Sequence, residues 1–377
     1  MMACNDIVTR ASDFWHTAAM TLQQGDVAPP GTRSSIRPGE VWLDTAGNRI
    51  HAHGGSVIAV DGVFYWYGEN KEFTTPGSGI WHWGVRCYSS TDLYNWEDRG
   101  LIIPPDEDDE TSPLHPKQYL DRPHIIYNER TRQFVCWIKV MTPGEISQRS
   151  TVLVADSILG PYRIVREWIR PLGMNAGDFD LVVDPSDGKG YYVFERVHSE
   201  LIVADLTDDY TDVTGYYSTH FPQPQPPYVR EAPAYFRRGD LHYLITSGTT
   251  GYYPNQSEVA VSRTYHGPYT VLGDPHPTDT TRTSFRTQIS SVFKHPGKKD
   301  LYIALGDRWL PRYTADGRQA REAFEAYFAP GHDLRVPMEE FAEVNTSIAD
   351  YVWLPIRFDG DMAVIDWTDE WQVEDFD

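Results

Sequence analysis

The chain is poor in cysteine, lacks long apolar runs and has a deficit of basic residues, and each of these features excludes a class of protein. Three cysteines among 377 residues are too few for a disulfide framework or a cysteine-based zinc site. With 33 Lys+Arg against 54 Asp+Glu, the net charge of −21 repels phosphate backbones and anionic lipid, so we expect no nucleic-acid or membrane partner. No stretch approaches the roughly 18 apolar residues of a membrane span. The N-terminal segment lacks the apolar run of a signal peptide, which predicts a cytoplasmic location.

Helical periodicity is also nearly absent. Residues 317–328 have room for one or two helical turns, and the opening residues for another short helix. Elsewhere, short runs of aromatic and β-branched residues alternate with Gly, Pro, Asn and Asp clusters, a pattern typical of strands and turns. The sequence therefore predicts an all-β protein. Its aromatic content of 13% exceeds what a core needs, which favours a carbohydrate-handling function because proteins hold sugars on aromatic faces.

The strands recur in a repeating order. Five aromatic strands, which we assign as the first strand of each repeat, are centred at intervals of 51 to 69 residues on Tyr67, Cys136, Val193, Leu244 and Ile303. Repeats of this size, each built from about four strands, are typical of a propeller. We predict a five-bladed β-propeller over residues 36–377, with residues 1–35 as an N-terminal extension packed on it. A β-sandwich with long loops is the alternative, but it does not explain the recurring GPY-type phrases.

Acidic residues occur at the ends of several predicted strands. Glu69 ends one strand, and Asp121, Asp178 and Glu231 precede or begin others. The inner strands of a propeller converge at one end, so we expect these carboxylates to meet near the axis. Two carboxylates that flank a sugar are the minimal equipment for glycoside hydrolysis.

A set of phrases in fixed order carries a family resemblance. The phrases are HAHGGSV (51–57), FYWYGE (64–69), CYSSTDLYNW (87–96), DRPHIIYN (121–128), REAPAYF (230–236), SGTTGYYPN (247–255), FRTQISSV (285–292), GDRW (306–309) and YVWLPI (351–356). From about residue 40 onward the chain resembles glycoside hydrolase family 43, the five-bladed propeller enzymes, and within it the branch that contains exo-β-1,3-galactanases.

The resemblance implies roles for individual residues. Glu231 would be the general acid, and Asp178 would orient it and tune its pKa. The family at large has a catalytic base Asp in its first blade, where this chain has His53 followed by two glycines. The galactanase-like branch shares that absence and implicates Gln288 on the water side of the sugar, where an amide would position water rather than deprotonate it. Asp121 is the other candidate, although the branch usually has Glu before Arg-Pro-Lys and this chain reads DRPH.

Further residues are predicted to line the sugar pocket. They are Glu69, His53, Glu195, Trp309 and Arg308, with Trp309 as a stacking platform for a pyranose ring. The histidines do not have metal-ligand spacing, so we predict no metal ligand and no cofactor, and the sequence leaves open a structural cation on the axis near His53.

The leading prediction is an inverting exo-glycoside hydrolase that releases terminal galactose from β-1,3-galactan-type oligosaccharides. Alternatives within the family are an α-L-arabinofuranosidase, a β-xylosidase or a β-galactofuranosidase, because the DRPH and WIK (137–139) phrases are altered. A non-catalytic carbohydrate-binding propeller and a propeller phosphorylase are alternatives of other classes. The predicted partner is an oligosaccharide, and the sequence does not indicate an oligomeric state.

Overall fold

The computed structural model describes residues 32–332 and 344–377. Within these residues the chain forms five four-stranded antiparallel sheets, each built from consecutive strands. Most of the predicted N-terminal extension, residues 1–31, lies outside the described residues. Just after it, the backbone of Arg33 exchanges two hydrogen bonds with the side chain of Asn95, and the Ser35 hydroxyl donates to Glu370.

Each sheet is one blade of four strands. Blade 1 contains β1 (His53–Val60), β2 (Val63–Glu69), β3 (Val85–Ser90) and β4 (Glu97–Ile103). Blade 2 contains β5 (Tyr119–Asn128), β6 (Gln133–Met141), β7 (Gln148–Ala155) and β8 (Arg163–Ile169). Blade 3 contains β9 (Ala176–Val183), β10 (Gly190–Arg196), β11 (Glu200–Leu206) and β12 (Val213–His220). Blade 4 contains β13 (Arg230–Arg238), β14 (Leu241–Gly248), β15 (Glu258–Ser262) and β16 (Thr270–Gly273). Blade 5 contains β17 (Gln288–Lys294), β18 (Tyr302–Arg308), β19 (Asp350–Asp359) and β20 (Met362–Ile365).

The first strand of each blade is the innermost. These strands contact one another in the order β1, β5, β9, β13 and β17, and β17 contacts β1, so the ring closes. The prediction of a five-bladed β-propeller is confirmed. One detail of it was wrong: the aromatic strand is the second of each blade, for example VFYWYGE in β2 and GYYVFER in β10. The second strand has neighbours on both edges and is buried on both faces, which suits large side chains, whereas the innermost strand borders the axis.

Five clusters of buried hydrophobic residues seal the interfaces between neighbouring blades. The cluster between blades 1 and 5 is the richest in tryptophan and includes Trp66, Trp96 and Trp353. The ring centroid of Trp66 lies 4.6 Å from that of Trp353 and 5.4 Å from that of Trp96. A backbone bridge between Ile36 and Trp371 covers the same interface. Within the described residues each sheet consists of strands from its own blade alone, so the ring closes through side-chain packing.

Every innermost strand has an irregular register at one end. The irregularities lie at positions 53–56, 121–124, 176–179, 231–234 and 289–291. Three of them contain a residue with positive φ: Gly54 at 63°, Arg122 at 56° and Ala232 at 48°. A β-bulge inserts an extra residue and redirects the neighbouring side chains. The bulges therefore point side chains of all five blades toward the same end of the axis.

One helix interrupts blade 5. Helix α1 (Gly317–Tyr327) lies between β18 and β19, and at three turns it is longer than the one or two turns predicted. Asp316 caps its N-terminus by accepting a hydrogen bond from the amide of Arg318. Short 3-10 turns occur at Pro171–Gly173, Thr346–Ile348 and Val373–Asp375. In the described ranges, no helix has the length and apolarity needed to cross a membrane.

Candidate active site

A pocket of about 240 Å³ lies at the bulged end of the inner strands. It is lined by residues from all five blades, including Glu69, Asp121, Asp178, Glu231 and Gln288. A larger groove of about 490 Å³ lies beside blade 4, but none of the sequence-predicted site residues lines it. The smaller pocket is therefore the candidate site. Its volume is below the roughly 300–1,000 Å³ of most ligand pockets, which suits a single sugar unit.

Glu231 is the least ionised of the pocket carboxyls. It begins the bulge of β13, directly before Ala232 in its left-handed conformation, and 8% of its surface is exposed. Burial raises the pKa of Glu231 well above the usual carboxyl range, and the charges of Asp178 and Glu195 raise it further. A buried carboxyl with a raised pKa keeps its proton to higher pH, which equips it to donate that proton.

Asp178 is held in the opposite protonation state. Its Oδ1 accepts a hydrogen bond from Lys139 Nζ at 2.8 Å, and its Oδ2 lies 3.1 Å from Arg122 Nη2. Burial acts to raise the pKa of Asp178, but the charges of Arg122 and Lys139 outweigh it and lower the pKa to about 2. Two carboxyls whose pKa values are driven apart by their surroundings are typical of acid–base pairs in enzymes.

Asp121 shares the same lysine. Lys139 Nζ lies 3.0 Å from Asp121 Oδ2, while Asp121 Oδ1 accepts a hydrogen bond from Trp81 Nε1 at 2.7 Å and lies 3.8 Å from Lys71 Nζ. Burial acts to raise the pKa of Asp121, but Lys139 and Lys71 outweigh it and lower the pKa. Asp121 is therefore a charged but weakly basic carboxylate.

Glu69 extends this series of ion pairs through Lys71 and connects it back to the backbone of Arg122. Its Oε2 lies 2.7 Å from Lys71 Nζ, and its Oε1 accepts a hydrogen bond from the amide of Arg122 at 2.9 Å. Burial raises the pKa of Glu69 to about 7, against the opposing effect of Lys71. The pocket floor is thus a series of alternating acids and bases that a backbone hydrogen bond closes into a ring, which we call the charge ring. Its members, in order, are Glu69, Lys71, Asp121, Lys139, Asp178 and Arg122.

Gln288 lies beside the acid and is fully hydrogen-bonded. Its Nε2 donates to Glu231 Oε1 at 3.2 Å and to Ser247 Oγ at 2.9 Å. Its Oε1 accepts from Arg122 Nη2 and from Trp309 Nε1, the latter at 3.2 Å. Both of these groups are donors only, so they fix which end of the amide faces Glu231.

Aromatic rings form one wall of the pocket. Trp309 is 5% exposed and lines the pocket, with its ring centroid 5.1 Å from that of Tyr252. The ring centroid of Tyr252 lies 5.7 Å from that of Trp81, and the centroid of Trp81 lies 4.0 Å from that of Tyr119. These rings provide apolar faces for a sugar next to the charged floor.

Three of the residues predicted to line the pocket lie outside it. His53 is fully buried behind the pocket, with Nδ1 3.1 Å from Asp307 Oδ1 and its ring stacked on Tyr351. Burial lowers the pKa of His53 well below its usual value. Glu195 lies behind His198, whose Nδ1 is 2.7 Å from Glu195 Oε1. His198 itself lines the pocket.

Arg308 also lies outside the pocket. Its Nη2 donates to the carbonyl of Phe285 at 3.0 Å, and it borders a separate depression next to Trp367. It is the last residue of β18, and Trp309 follows the strand. Trp309 lines the pocket, whereas the Arg308 side chain faces the separate depression.

Sequence reasoning missed several residues that line the pocket or complete its floor, and five of them supply its cations or its outer wall. They are Lys71, Lys139, Arg122, Phe324 and Phe328. Lys139 carries a usable signal, because it is a lone lysine in the apolar run FVCWIKV, where an unpaired charge would be costly. The remaining four have no comparable local signal.

Comparison with known proteins supports the interpretation of this pocket as the active site of a glycoside hydrolase. A family model described as glycosyl hydrolases family 43 matches residues 51–322. A comparison with curated protein sequences gave no significant match. Among solved structures, a GH43 β-1,3-galactosidase is similar with a TM-score of 0.75 and 28% sequence identity, over 91% of this chain and 65% of the other. This chain therefore spans less than two thirds of that protein.

Two further solved structures extend the similarity. A second GH43 β-1,3-galactosidase, solved with galactodeoxynojirimycin, has a TM-score of 0.72 and 28% identity, over 89% of this chain and 100% of the other. An exo-β-1,3-galactanase from Clostridium thermocellum has a TM-score of 0.70 and 27% identity, over 90% of this chain and 66% of the other.

Proposed function

The chain belongs to glycosyl hydrolase family 43 and is a glycoside hydrolase, and we propose that it is an inverting exo-enzyme that releases terminal galactose from β-1,3-galactan-type oligosaccharides. The predicted resemblance to the family and to its galactanase-like branch is confirmed. The choice of galactose is supported by the two β-1,3-galactosidases and the exo-β-1,3-galactanase to which the chain is similar.

One observation carries the proposed mechanism. Glu231, whose pKa is raised, and Asp178, whose pKa is lowered, share one pocket, and the cations Arg122 and Lys139 hold the second carboxylate in place. In the proposed reaction Glu231 gives its proton to the glycosidic oxygen as the bond from that oxygen to C1 breaks. A water molecule forms the new bond to C1 from the opposite face, which inverts the anomeric configuration, and its proton passes to solvent through the water-side group.

Two residues are candidates for that water-side group. Asp121 is a carboxylate with a lowered pKa, so it can orient water but is a weak base. Gln288 has all of its hydrogen-bonding positions filled by protein groups, and one of these groups is Glu231 itself. An inverting mechanism places acid and water on opposite faces of the ring. For Gln288 to hold the water, its contact with Glu231 must open when the sugar binds.

The proposed function is tested by determining which substrates are cleaved and which anomer of the sugar is released. Purified protein is incubated with β-1,3-galactobiose and with aryl β-galactopyranoside, α-L-arabinofuranoside, β-xyloside and β-galactofuranoside, and released sugar is followed by proton NMR. We expect galactose to appear first as the α-anomer. Release of the β-anomer, or of another sugar alone, contradicts the proposal. Sugar binding without hydrolysis indicates a carbohydrate-binding propeller, and activity that requires added phosphate indicates a phosphorylase.

Variants test the residue assignments. Glu231→Gln is expected to lower kcat on the disaccharide by about 10²–10⁴-fold and to affect aryl glycosides with good leaving groups less. Glu258→Gln, on β15 and outside the pocket, is the matched control. Azide can replace water as the nucleophile when the water-side residue is removed. Rescue of Asp121→Ala or of Gln288→Ala by azide, with formation of the glycosyl azide, therefore identifies that residue.

The remaining predictions are also proposals. We propose that the reaction uses protein groups and water alone, which predicts full activity after dialysis against a chelator. The cytoplasmic location, the packing of residues 1–31 and the absence of nucleic-acid and membrane partners stay predictions.

A further inference from the structure

The outer wall of the pocket comes from an unexpected element. Phe324 and Phe328 of the helix α1 segment line the pocket, although the helix belongs to an insertion in blade 5. Their rings are 6.3 Å apart between centroids and inclined by 24°, so they present one nearly continuous apolar face. They are one helical turn apart, which places both on the same side of the helix.

Contacts along the helix show how it reaches across the propeller. At its start, the amide of Gly317 donates to the carbonyl of Thr281 at 2.9 Å, and the guanidinium of Arg321 lies 4.9 Å from the ring of Tyr228. Further along, the Phe324 ring lies beside Gly251, close enough that a Cβ there would contact Cζ at 3.6 Å. At its end, the ring centroid of Phe328 lies 5.7 Å from that of His198. The helix therefore runs from blade 5 over blade 4 to blade 3.

This course places the two phenylalanines on the acid side of the pocket. Gly251 and Thr249 lie in the loop that follows β14, and Glu231 pairs with Ser247 near the end of that strand. Glu69 and Trp81, by contrast, come from blade 1 and line the pocket around Asp121, one of the two candidates for the water-side group. A glycosidic oxygen within reach of Glu231 carries its leaving group toward the acid side.

We propose that Phe324 and Phe328 form the platform for the sugar unit on the leaving-group side of the scissile bond. This inference rests on the proposed function for the identity of the acid. It makes the substrate at least a disaccharide whose second ring is a pyranose with an apolar face, stacked on the helix. His198, held by Glu195 and set edge-on to Phe328, borders the same space with a polar ring. Simple galactosides with a small aglycone leave this platform empty.

The test compares two substrates that share the same cleaved sugar. β-1,3-galactobiose fills both sides of the scissile bond, whereas β-galactosyl fluoride has no ring on the leaving-group side. We expect Phe324→Ala and Phe328→Ala each to lower the ratio of kcat/KM for the disaccharide to kcat/KM for the fluoride about tenfold, the size of one aromatic stacking contact. Phe328→Tyr should restore most of the ratio. Glu325→Ala, an exposed residue on the same helix, is the matched control and should leave both values unchanged.

Several outcomes separate this inference from the proposed function. If wild-type protein cleaves another sugar, the disaccharide and fluoride of that sugar replace the galactosides and the same ratio applies. If no substrate is cleaved, calorimetric titration of wild-type protein with monosaccharide and disaccharide gives the readout, and the phenylalanine variants should weaken only disaccharide binding. The platform is contradicted if the ratio of the two kcat/KM values stays unchanged in both variants, or if kcat/KM falls equally on both substrates. It is also contradicted if wild-type protein binds the disaccharide no more tightly than the monosaccharide.

Discussion

The amide nitrogen of Gln288 donates to Oε1 of Glu231 at 3.2 Å, so the side chain predicted to face the water is hydrogen-bonded to the acid. This contact couples the charge at position 288 to the protonation of Glu231. We expect Gln288→Glu to move the alkaline limb of the kcat/KM profile about one pH unit upward, because a second carboxylate in contact raises the pKa of the first. Gln288→Met, which removes the hydrogen bonds without adding charge, is the comparison. An alkaline limb that moves downward in Gln288→Glu contradicts the coupling.

Removal of the Asp178 charge is expected to move the same limb in the opposite direction. Its negative charge raises the pKa of Glu231, so Asp178→Asn removes that effect and leaves Arg122 and Lys139 free to lower the pKa further. We expect the alkaline limb to move to lower pH, and a limb that lies one pH unit lower costs about tenfold in activity on its alkaline side. Asp180→Asn is the control, since Asp180 does not line the pocket and its Oδ1 lies 2.8 Å from His124 Nδ1. An equal displacement of the limb in both variants would refute the direct charge effect.

Lys139 should stabilise the fold as well as the site. Lys139→Met leaves Asp121 and Asp178 buried without their shared cation, which is expected to lower the free energy of unfolding by about 3–5 kcal/mol at neutral pH. Without the lysine the carboxylates have higher pKa values and take up protons more readily. The deficit against wild type should therefore narrow as the pH falls into the carboxyl range, as measured by chemical denaturation.

Lys139→Arg, which keeps the charge, should lose less stability. Lys117→Met is the surface control, because Lys117 and its partner Glu110 are both exposed, and it should change stability by less than about 1 kcal/mol. A pH-independent deficit in Lys139→Met would mean that packing, rather than charge, accounts for it.

Substitutions at two glycines of the β1–β2 hairpin distinguish the effect of backbone strain from the effect of displacing an active-site side chain. Gly54 and Gly62 both have positive φ, so alanine at either position is strained by about 1–2 kcal/mol. At Gly54 a Cβ would also lie 2.3 Å from Glu69 Oε1, whereas at Gly62 it meets nothing within 4 Å. Thermal unfolding and kcat/KM should show that Gly62→Ala is slightly destabilised and fully active, and that Gly54→Ala also loses activity. Equal kcat/KM in the two variants would show that displacement of Glu69 does not affect catalysis.

Ring closure through packing predicts a marked sensitivity at the interface between blades 1 and 5. Trp353 is 1% exposed and contacts Trp66, so Trp353→Ala is expected to lower the free energy of unfolding by about 3–5 kcal/mol. Trp367, in the same blade and 38% exposed, is the control and should lose much less. The measurement is equilibrium urea unfolding, and similar losses in both variants would contradict a closure that depends on this cluster.

The blade count could be predicted because its signal is local. Each aromatic strand and its bordering turn residues lie within one short segment, so the five segments containing residues 67, 136, 193, 244 and 303 identify one strand per blade. Local patterns do not reveal which strand borders the axis, since that depends on contacts between blades. The aromatic strands were therefore placed first rather than second.

The candidate site was predictable only in part for the same reason. Glu231 and Asp178 stand in phrases that resemble a family, but Lys139 acquires its role from Asp121 and Asp178, which belong to two different strands. Helix α1 has no pattern that indicates where it crosses the propeller.

The five bulges affect how the residues of such a site can be substituted during evolution. Asp121, Asp178 and Glu231 each stand at the irregular position of their own blade, while the hydrogen-bonded ladder resumes beyond it. A replacement at one of these positions alters the chemistry without disturbing the pairing of any strand. The first blade can therefore present His53 and Gly54 where relatives are expected to hold a carboxylate, and the fifth can present an amide. The five-bladed fold can therefore stay constant while substitutions in a single blade change the reaction.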